Sequence, residues 1–438
     1  MNKNRCGKKG AICTYPGRYL YYFAAIIVGI VLLTGCGITQ PKSNGMAPEL
    51  FDSFLEVSKP LSTTKPRLAI FSHVGQVAVE VSKRQALVEG TDLCFDYNIT
   101  TPVLVLDNVA APEGYGLDDR YNAISDQFKH LSEACLGGSK ISCLTIQKSA
   151  FKWSTESGID KPRPTDGALW NDTLTVNMRL LSPMVAALGV ANMILPIPSN
   201  KSDVINPWLV RITDNFEHGM RGDGSYKGGA AGTTSRKAAH NHASQSSNAS
   251  MSVGALIGDQ KLFNVGIDQW FITLGSMRLD GSLPIETRRG ARALFYQGRA
   301  ITSLTALAEK ASVQQIDLWS LAPSDNKTIH LAVKFLIDAI EDPKLVLGYA
   351  LTNKSPGPSK NYKRQDLGYS GSSTFGWVAS YMARFPDHPN TTRLLRRIAD
   401  PENVVKTYLT STLDRQVKLN GTGQGDWNFV NGKCFYSK

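Results

Sequence analysis

The chain has 438 residues, 42% of them hydrophobic and 19% charged, with 48 Lys and Arg against 37 Asp and Glu. That length suits one large domain or two to three small ones with a sizeable core, and the composition excludes a disordered polyelectrolyte. Only one apolar run approaches membrane length, and seven cysteines are sparse for this length. A multi-span membrane protein and a small disulfide scaffold are therefore both excluded.

Residues 1–18 carry Lys3, Arg5, Lys8, Lys9 and Arg18 and no acid. Residues 19–34 are almost wholly apolar, and Leu33-Thr34-Gly35-Cys36 follows. A basic stretch, a short apolar stretch and small residues at the cut form an export signal. The ending resembles a bacterial lipobox, in which Cys36 is lipidated and becomes the mature N-terminus. A plain transmembrane anchor with an incidental cysteine is the alternative. Gly37 after the cysteine, by resemblance to known lipoproteins, points to the outer membrane. Cleavage removes five positive charges and no acid from a net charge of +11. The mildly basic remainder suits a polyanionic ligand without selecting one. With Cys36 acylated, Cys94, Cys135, Cys143 and Cys434 remain in an oxidising compartment, and four cysteines allow three pairings. No C-x-x-C or zinc-ribbon spacing is present, so bridges are expected rather than metal.

Residues 37–66 hold Pro41, Pro48, Pro60 and Pro66 among Ser, Thr and Lys and read as a tether. Residues 67–110 contain strand-like patches. From about residue 118 the pattern is mainly helical, with helices expected near 120–135, 142–155, 168–194, 203–219, 244–257, 260–277, 286–313, 328–341, 372–384 and 391–411. Gly258-Asp259 separates two apolar stretches and suits a helix stop followed by an N-cap, which predicts an αα-hairpin. Asp280-Gly281 with Pro284 marks a turn. Antiparallel helices without a heptad run predict stacked helical hairpins. Residues 221–239 and 353–366 are long and rich in Gly or basic residues, and either suits a substrate-side loop.

The chemistry concentrates in two clusters. No P-loop, G-x-S-x-G elbow or H-E-x-x-H occurs. His240-Asn241-His242 places two of the seven histidines together. An H-x-H pair shares a face on a strand but not on a helix, and no acidic third ligand lies nearby. The second cluster spans 279–300. Read as a helix from about Glu286, it sets Arg289, Arg292 and Tyr296 on one face. Two guanidinium groups beside a phenol would stabilise its anion. Asn, His, Arg and Tyr together fit β-elimination on a uronic acid polymer. Arg and Asn neutralise the carboxylate so that the C5 proton becomes acidic. Tyr and His move the protons. A glycoside hydrolase would instead need two carboxylates across the scissile bond. Asp280 and Glu286 are the only acids in the cluster, and Asp280 is explained by its turn.

These two stretches resemble the alginate lyases of polysaccharide lyase family five and their relatives. That family carries Asn-Asn-His-Ser-Tyr-Trp on a helix and a later G-x-L-P-x-E stretch leading into R-x-x-R-A-L-x-Y. The first corresponds here to His240-Asn241-His242-Ala243-Ser244-Gln245. The second corresponds to Gly281-Ser282-Leu283-Pro284-Ile285-Glu286 and then Arg289 through Tyr296. The separation from His242 to Tyr296 matches the family's register without a gap. The segment 141–153 is similar to a family helix that begins with a bridging cysteine. The resemblance covers roughly residues 90–345.

The resemblance implies an all-α fold, an incomplete (α/α) toroid of antiparallel helical hairpins, here with an irregular N-terminal segment. The expected organisation is a signal peptide at 1–35, a tether at 36–66 and the toroid domain at 67–438. Asn241 and Arg289 would neutralise the carboxylate, Tyr296 would act as base, acid or both, and His242 as second acid/base or stabiliser. No metal or other cofactor is required. His240, Gln245 and Arg292 would contact substrate. The resemblance favours a Cys94–Cys143 bridge, with Cys135–Cys143, closing a short loop, as the alternative. His240 replaces the family's first Asn, Gln245 replaces its sugar-stacking Trp, and the upstream Lys-Tyr-x-Gly-Ser stretch has no counterpart. The expected substrate is a β-linked mannuronate or glucuronate polymer. A non-catalytic glycan-binding or scaffold lipoprotein of an exopolysaccharide system is the alternative. The expected protein is a lipid-anchored periplasmic monomer that does not bind nucleic acid.

Overall fold

In the computed structural model the chain divides into Met1–Asn44 and Gly45–Lys438, and every described residue lies in the second unit. The structure describes residues 119–399, except 137, 157, 160–166, 222–238, 324–325, 355–360, 366, 368–374, and then 404–408 and 414–418. The signal segment with Cys36, the tether, the strand-like patches, most of the 221–239 loop and half of the 353–366 loop lie outside the described residues.

The helices follow one another in antiparallel pairs. They are α1 (Asp119–Leu136), α2 (Lys140–Thr155), α3 (Gly167–Ile194), α4 (Ser199–Arg221), α5 (Asn241–Ile257) and α6 (Gln260–Gly275). After a short α7 (Pro284–Thr287) come α8 (Ala293–Val313), α9 (Ile329–Glu341), α10 (Lys344–Ala350), α11 (Val378–Arg384) and α12 (Pro389–Ala399). No described helix is long and apolar enough to cross a membrane.

The α5/α6 joint has the expected chemistry. Gly258 adopts φ 78° in the left-handed region, where a side chain would be strained. Asp259 then caps α6, its Oδ1 accepting from the Leu262 N–H at 3.0 Å. The helices approach closely there. A Cβ on Gly254 would sit 2.6 Å from the Asp259 carbonyl oxygen and against the Phe263 nitrogen.

Two apolar cores meet at α5. One gathers Phe128, Trp153, Met184 and Trp208 from α1–α4 and takes Ala249 and Val253 from α5. The other gathers Phe263, Trp270, Leu304 and Leu336 from later helices and takes Met251 and Ala255 from α5. A helix buried on every side would ordinarily be apolar all round. Instead α5 carries several serines, two of which fold back onto their own helix: Ser244 donates to the His240 carbonyl at 3.3 Å and Ser252 to the Asn248 carbonyl at 2.8 Å. One polar tie crosses to α8. Lys310 Nζ donates to Asn248 Oδ1 at 2.5 Å, and Asn248 Nδ2 donates to the Ser303 carbonyl at 2.7 Å. Burial pushes the Lys310 ammonium down to about 7. Asn248 lies two turns from Asn241, and Ser303 two turns from Tyr296. This tie therefore sets the register in which the two motif-bearing helix ends lie.

Three sequence expectations are corrected. Cys143 is bonded to Cys135, not to Cys94, with Cα atoms 4.9 Å apart. The turn at Gly138 (φ 100°) folds α2 back beside the end of α1, so two buried cysteines eight residues apart meet. Cys94 and Cys434 lie outside the described residues. The helix expected over 391–411 ends at Ala399, shortly before Pro401, which disfavours helix in the residue preceding it. Val404–Tyr408 and Asp414–Lys418 form an antiparallel pair with Val404 opposite Lys418. The β-branched and aromatic run Val404-Val405-Lys406-Thr407-Tyr408 favours strand.

The third correction bears on the site. The helix expected to run unbroken from Glu286 is divided. A turn of α helix at Pro284–Thr287 is followed by a 3₁₀ turn at Gly290–Arg292, and α8 begins only at Ala293. Gly290 has φ 58°. The backbone groups freed by the break find partners elsewhere. Lys354 N–H donates to the Arg288 carbonyl, Gln365 Nε2 to the Gly290 carbonyl, and the Leu294 N–H to Gln365 Oε1. Arg289 thus precedes α8 and reaches Tyr296 from outside it.

Candidate active site

The first motif opens α5, three residues earlier than its apolar pattern suggests. His240 is the N-cap: its Nδ1 accepts from the Ala243 N–H at 3.2 Å. Nδ1 is therefore unprotonated, and the neutral ring carries its hydrogen on Nε2. Asn241 and His242 are the first two helical residues. The two histidine rings meet edge to face, with centroids 5.8 Å apart.

The first N–H groups of a helix lack partners within it, and the helix end favours negative charge. Glu286 occupies that end. Its Oε1 accepts from the Asn241 backbone N–H at 2.6 Å, and Asn241 Nδ2 donates to Oε1 at 3.1 Å and Oε2 at 3.0 Å. Glu286 is fully buried. Burial pushes its carboxyl above the ordinary glutamate value. The nearby Arg289 guanidinium, the hydrogen bonds from Asn241 and the Arg299 charge oppose that shift.

Arg289 lies over the ring of Tyr296, its guanidinium carbon 3.8 Å from the centroid. Both residues are buried, and at this depth a stacked cation is worth about 2 kcal/mol. Phe295 packs edge-on against Tyr296, with centroids 5.0 Å apart. Hydrogen bonds thus join Asn241 to Glu286, Arg289 lies over Tyr296, and the Arg289 charge acts on Glu286 between the two pairs. His242 sits beside Asn241, half-buried. Arg292 occupies the N-cap position of α8 without a side-chain capping bond, its guanidinium carbon 5.8 Å from the Phe295 ring centroid. Of the two guanidinium groups expected beside the phenol, Arg289 is the one that lies over its ring.

Gln245 lies one turn beyond Asn241 and is only 3% exposed, yet neither end of its amide has a hydrogen-bond partner among the described residues. Asn241 Oδ1 is likewise buried without one. Buried polar atoms in this state need an explanation, and a hydroxyl-rich ligand supplies both donors and acceptors. Among the described residues no three of His, Cys, Asp and Glu converge as metal ligands.

Asp280 has the turn role expected of it. Its Oδ1 accepts from the Ser282 N–H at 2.9 Å, and its Oδ2 from the Tyr349 hydroxyl at 2.7 Å. Gly281 there has φ 93°. The sequence names Glu286 within the second motif but gives it no role, and it passes over Arg299; the meeting of Glu286 with α5, and the Arg299 charge acting on that carboxyl, appear only in the fold. A cavity of about 350 Å³, lined by Trp319, His330, Arg384 and Phe385 among others, includes none of the motif residues.

The sequence model of the Alginate lyase family matches residues 178–346, a span containing every residue of both clusters. A protein of Stenotrophomonas maltophilia described as a polysaccharide lyase is 29% identical over 137 residues, 31% of this chain. The match spans only 36% of that relative's length. Among solved structures, alginate lyase A1-III from Sphingomonas species A1 superposes with a TM-score of 0.58 at 17% identity. That match covers 83% of this chain and 94% of that one. A histidine-to-alanine variant of alginate lyase A1-III, complexed with a tetrasaccharide, superposes with a TM-score of 0.59 at 18% identity, over 82% and 94%. These likenesses bear out the expected all-α toroid. Residues 178–346 thus match the alginate lyase family model, within a helical fold similar to that of the solved alginate lyases.

Proposed function

We propose that the chain is a polysaccharide lyase that cleaves a β-linked uronate polymer by β-elimination. The observation that carries this reading is the buried cluster that holds Asn241 on Glu286 and Arg289 over Tyr296, with the Arg289 charge acting on Glu286 and His242 beside Asn241. The one carboxylate within it, Glu286, is occupied by Asn241, so the paired carboxylates of a glycosidase are not what this cluster offers. The relative described as a polysaccharide lyase and the tetrasaccharide complex of the similar fold support the same reading.

In the reaction the C5–H bond breaks and its electron pair forms the C4=C5 double bond. The C4–O bond breaks, and the departing oxygen takes a proton. Arg289 and the side-chain amide of Asn241 hold the carboxylate while negative charge spreads from C5 onto it. Tyr296 and His242 carry the protons. In mannuronate the C5 proton and C4 oxygen are syn, so Tyr296 alone can serve both. In glucuronate, which shares mannuronate's configuration at C4 and C5, they are syn as well; in guluronate they are anti, which calls for Tyr296 and His242 as a pair. The amide of Gln245, in place of an aromatic ring, exchanges stacking for hydrogen bonds to hydroxyls.

Mannuronan or polyglucuronate is the expected substrate, with weak action on guluronate-rich blocks. Kinetics on block-enriched alginates and polyglucuronate, read by ultraviolet absorbance of the unsaturated end, test this. A preference for guluronate blocks would overturn the specificity, and no unsaturated product from any polyuronate would overturn the reaction.

We further propose that the protein acts as a monomer anchored by lipid at Cys36 in the periplasm, a reading supported by the lipobox-like Leu33-Thr34-Gly35-Cys36. Cys36→Ser is expected to abolish incorporation of a labelled fatty acid, and label persisting in the mutant would reject the anchor.

A further inference from the structure

Glu286 has no proton-transfer role in the reaction above, yet it is the most fully enclosed acid of the site. We infer that Glu286 is a positioning residue that, as a carboxylate, fixes the side-chain amide of Asn241 in its working orientation. The inference rests on the lyase reading and deepens it.

The geometry assigns the donors. Both Glu286 oxygens face nitrogen atoms of Asn241: Oε1 the backbone nitrogen and Nδ2, Oε2 Nδ2 alone. An ionised carboxylate only accepts, so all three contacts are satisfied together. A proton on either oxygen would point a donor at a donor. Nitrogen and oxygen of an amide are otherwise assigned only from their surroundings, and here the carboxylate makes the assignment: Nδ2 faces Glu286.

The two Glu286 oxygens lie at nearly equal distance from Nδ2, 3.1 and 3.0 Å, and the oxygens of one carboxylate subtend too small an angle there to take one hydrogen each. They share one N–H. Asn241 is left with its second N–H and with Oδ1, which has no hydrogen-bond partner among the described residues. One amide thus presents a donor to the substrate carboxylate and an acceptor to a neighbouring hydroxyl. Without Glu286 the amide could rotate and exchange the two.

A negative group at this place would by itself repel a uronate. Arg289 and Arg299 act on Glu286 as opposite charges, and the positive end of α5 faces it. Two cations against one carboxylate leave a positive surplus for the substrate.

Glu286→Gln keeps the shape and removes the charge. It also places an NH₂ group against Asn241, which forces the Asn241 amide to turn over so that Oδ1 faces position 286. With the polyuronate that wild type cleaves best, kcat is expected to fall by about 10- to 100-fold, since a misplacement of about 1 Å can cost that much. KM should change little. Because Glu286 acts through Asn241, the double variant E286Q/N241A should be no slower than the slower single variant. Losses that multiply in the double variant, or a wild-type kcat for E286Q, would overturn the proposal while leaving the lyase reading intact. A wild-type protein without turnover on any polyuronate would sink both. If E286Q does not fold, Glu286→Asp serves instead. It keeps the charge but is too short to reach the backbone and side-chain nitrogens together. A loss of kcat of about 10-fold or more in that variant supports positioning, and an unchanged kcat rejects it.

Discussion

Tyr296→Phe is expected to lower turnover of a polyuronate by at least about 10²-fold, the usual range for a positioned acid or base being about 10²–10⁴. The ring's place does not depend on its hydroxyl. Arg289 lies over its face and Phe295 against its edge, and both contacts are made to ring carbons. The variant should therefore keep its melting temperature and substrate affinity and lose kcat alone. Such a split marks an interaction needed for the chemical step rather than for binding. Measured kcat and KM on the best uronate polymer, with a thermal melt as control, give the answer. A Tyr296→Phe enzyme with a near-normal rate would remove the phenol from the chemistry and move the proton transfers to His242.

How much of this site can be read from the residues alone depends on which physical signal is local. The α5/α6 hairpin is legible because Gly258 and Asp259 are chemically specific to a helix stop and a helix start. The Asn241, His242, Arg289 and Tyr296 set is legible because spacing and residue type carry it together. The break before α8 is not. Residues 286–296 look helical in pattern, and what unwinds them is long-range: Gln365 takes the Gly290 carbonyl and the Leu294 N–H, and Lys354 the Arg288 carbonyl. That break puts Arg289 on the ring of Tyr296 and leaves Arg292 near Phe295. Glu286 is similarly opaque, because an isolated acid in a turn gives no hint that a helix end 45 residues earlier will meet it. The Cys135–Cys143 bond was open as one of two alternatives, and the turn at Gly138 decides it. His240 looked like a ligand or a substrate contact from its neighbour His242. The structure gives it a capping bond as well, a role that ring nitrogens fill less often than the hydroxyls and carboxylates usual at that position.

Arg289→Ala carries the second large expectation, a fall in kcat of about 10²–10³-fold, the range found when one donor to a developing oxyanion is removed. Arg289 is asked to do three things. It supplies positive charge to the substrate carboxylate as the C5 proton leaves, it lies over Tyr296, and it opposes the buried Glu286 carboxylate. The last of these makes Ala a blunt substitution, because it leaves Glu286 buried with less counter-charge and should also destabilise the fold. Arg289→Lys separates the roles. It keeps the charge but not the plane that lies over the ring, nor the fork that holds a carboxylate with two hydrogen bonds. The Lys variant should melt near wild type and recover only part of the lost turnover. The substrate offers an independent check. In a methyl-esterified uronate polymer the carboxylate charge is already masked, so the gain from a guanidinium should shrink. Wild type and Arg289→Ala should then differ far less on the ester than on the free acid. If the two variants lose equally on both polymers, Arg289 serves the packing around Tyr296 and Glu286, and the carboxylate must be neutralised by another group of the site.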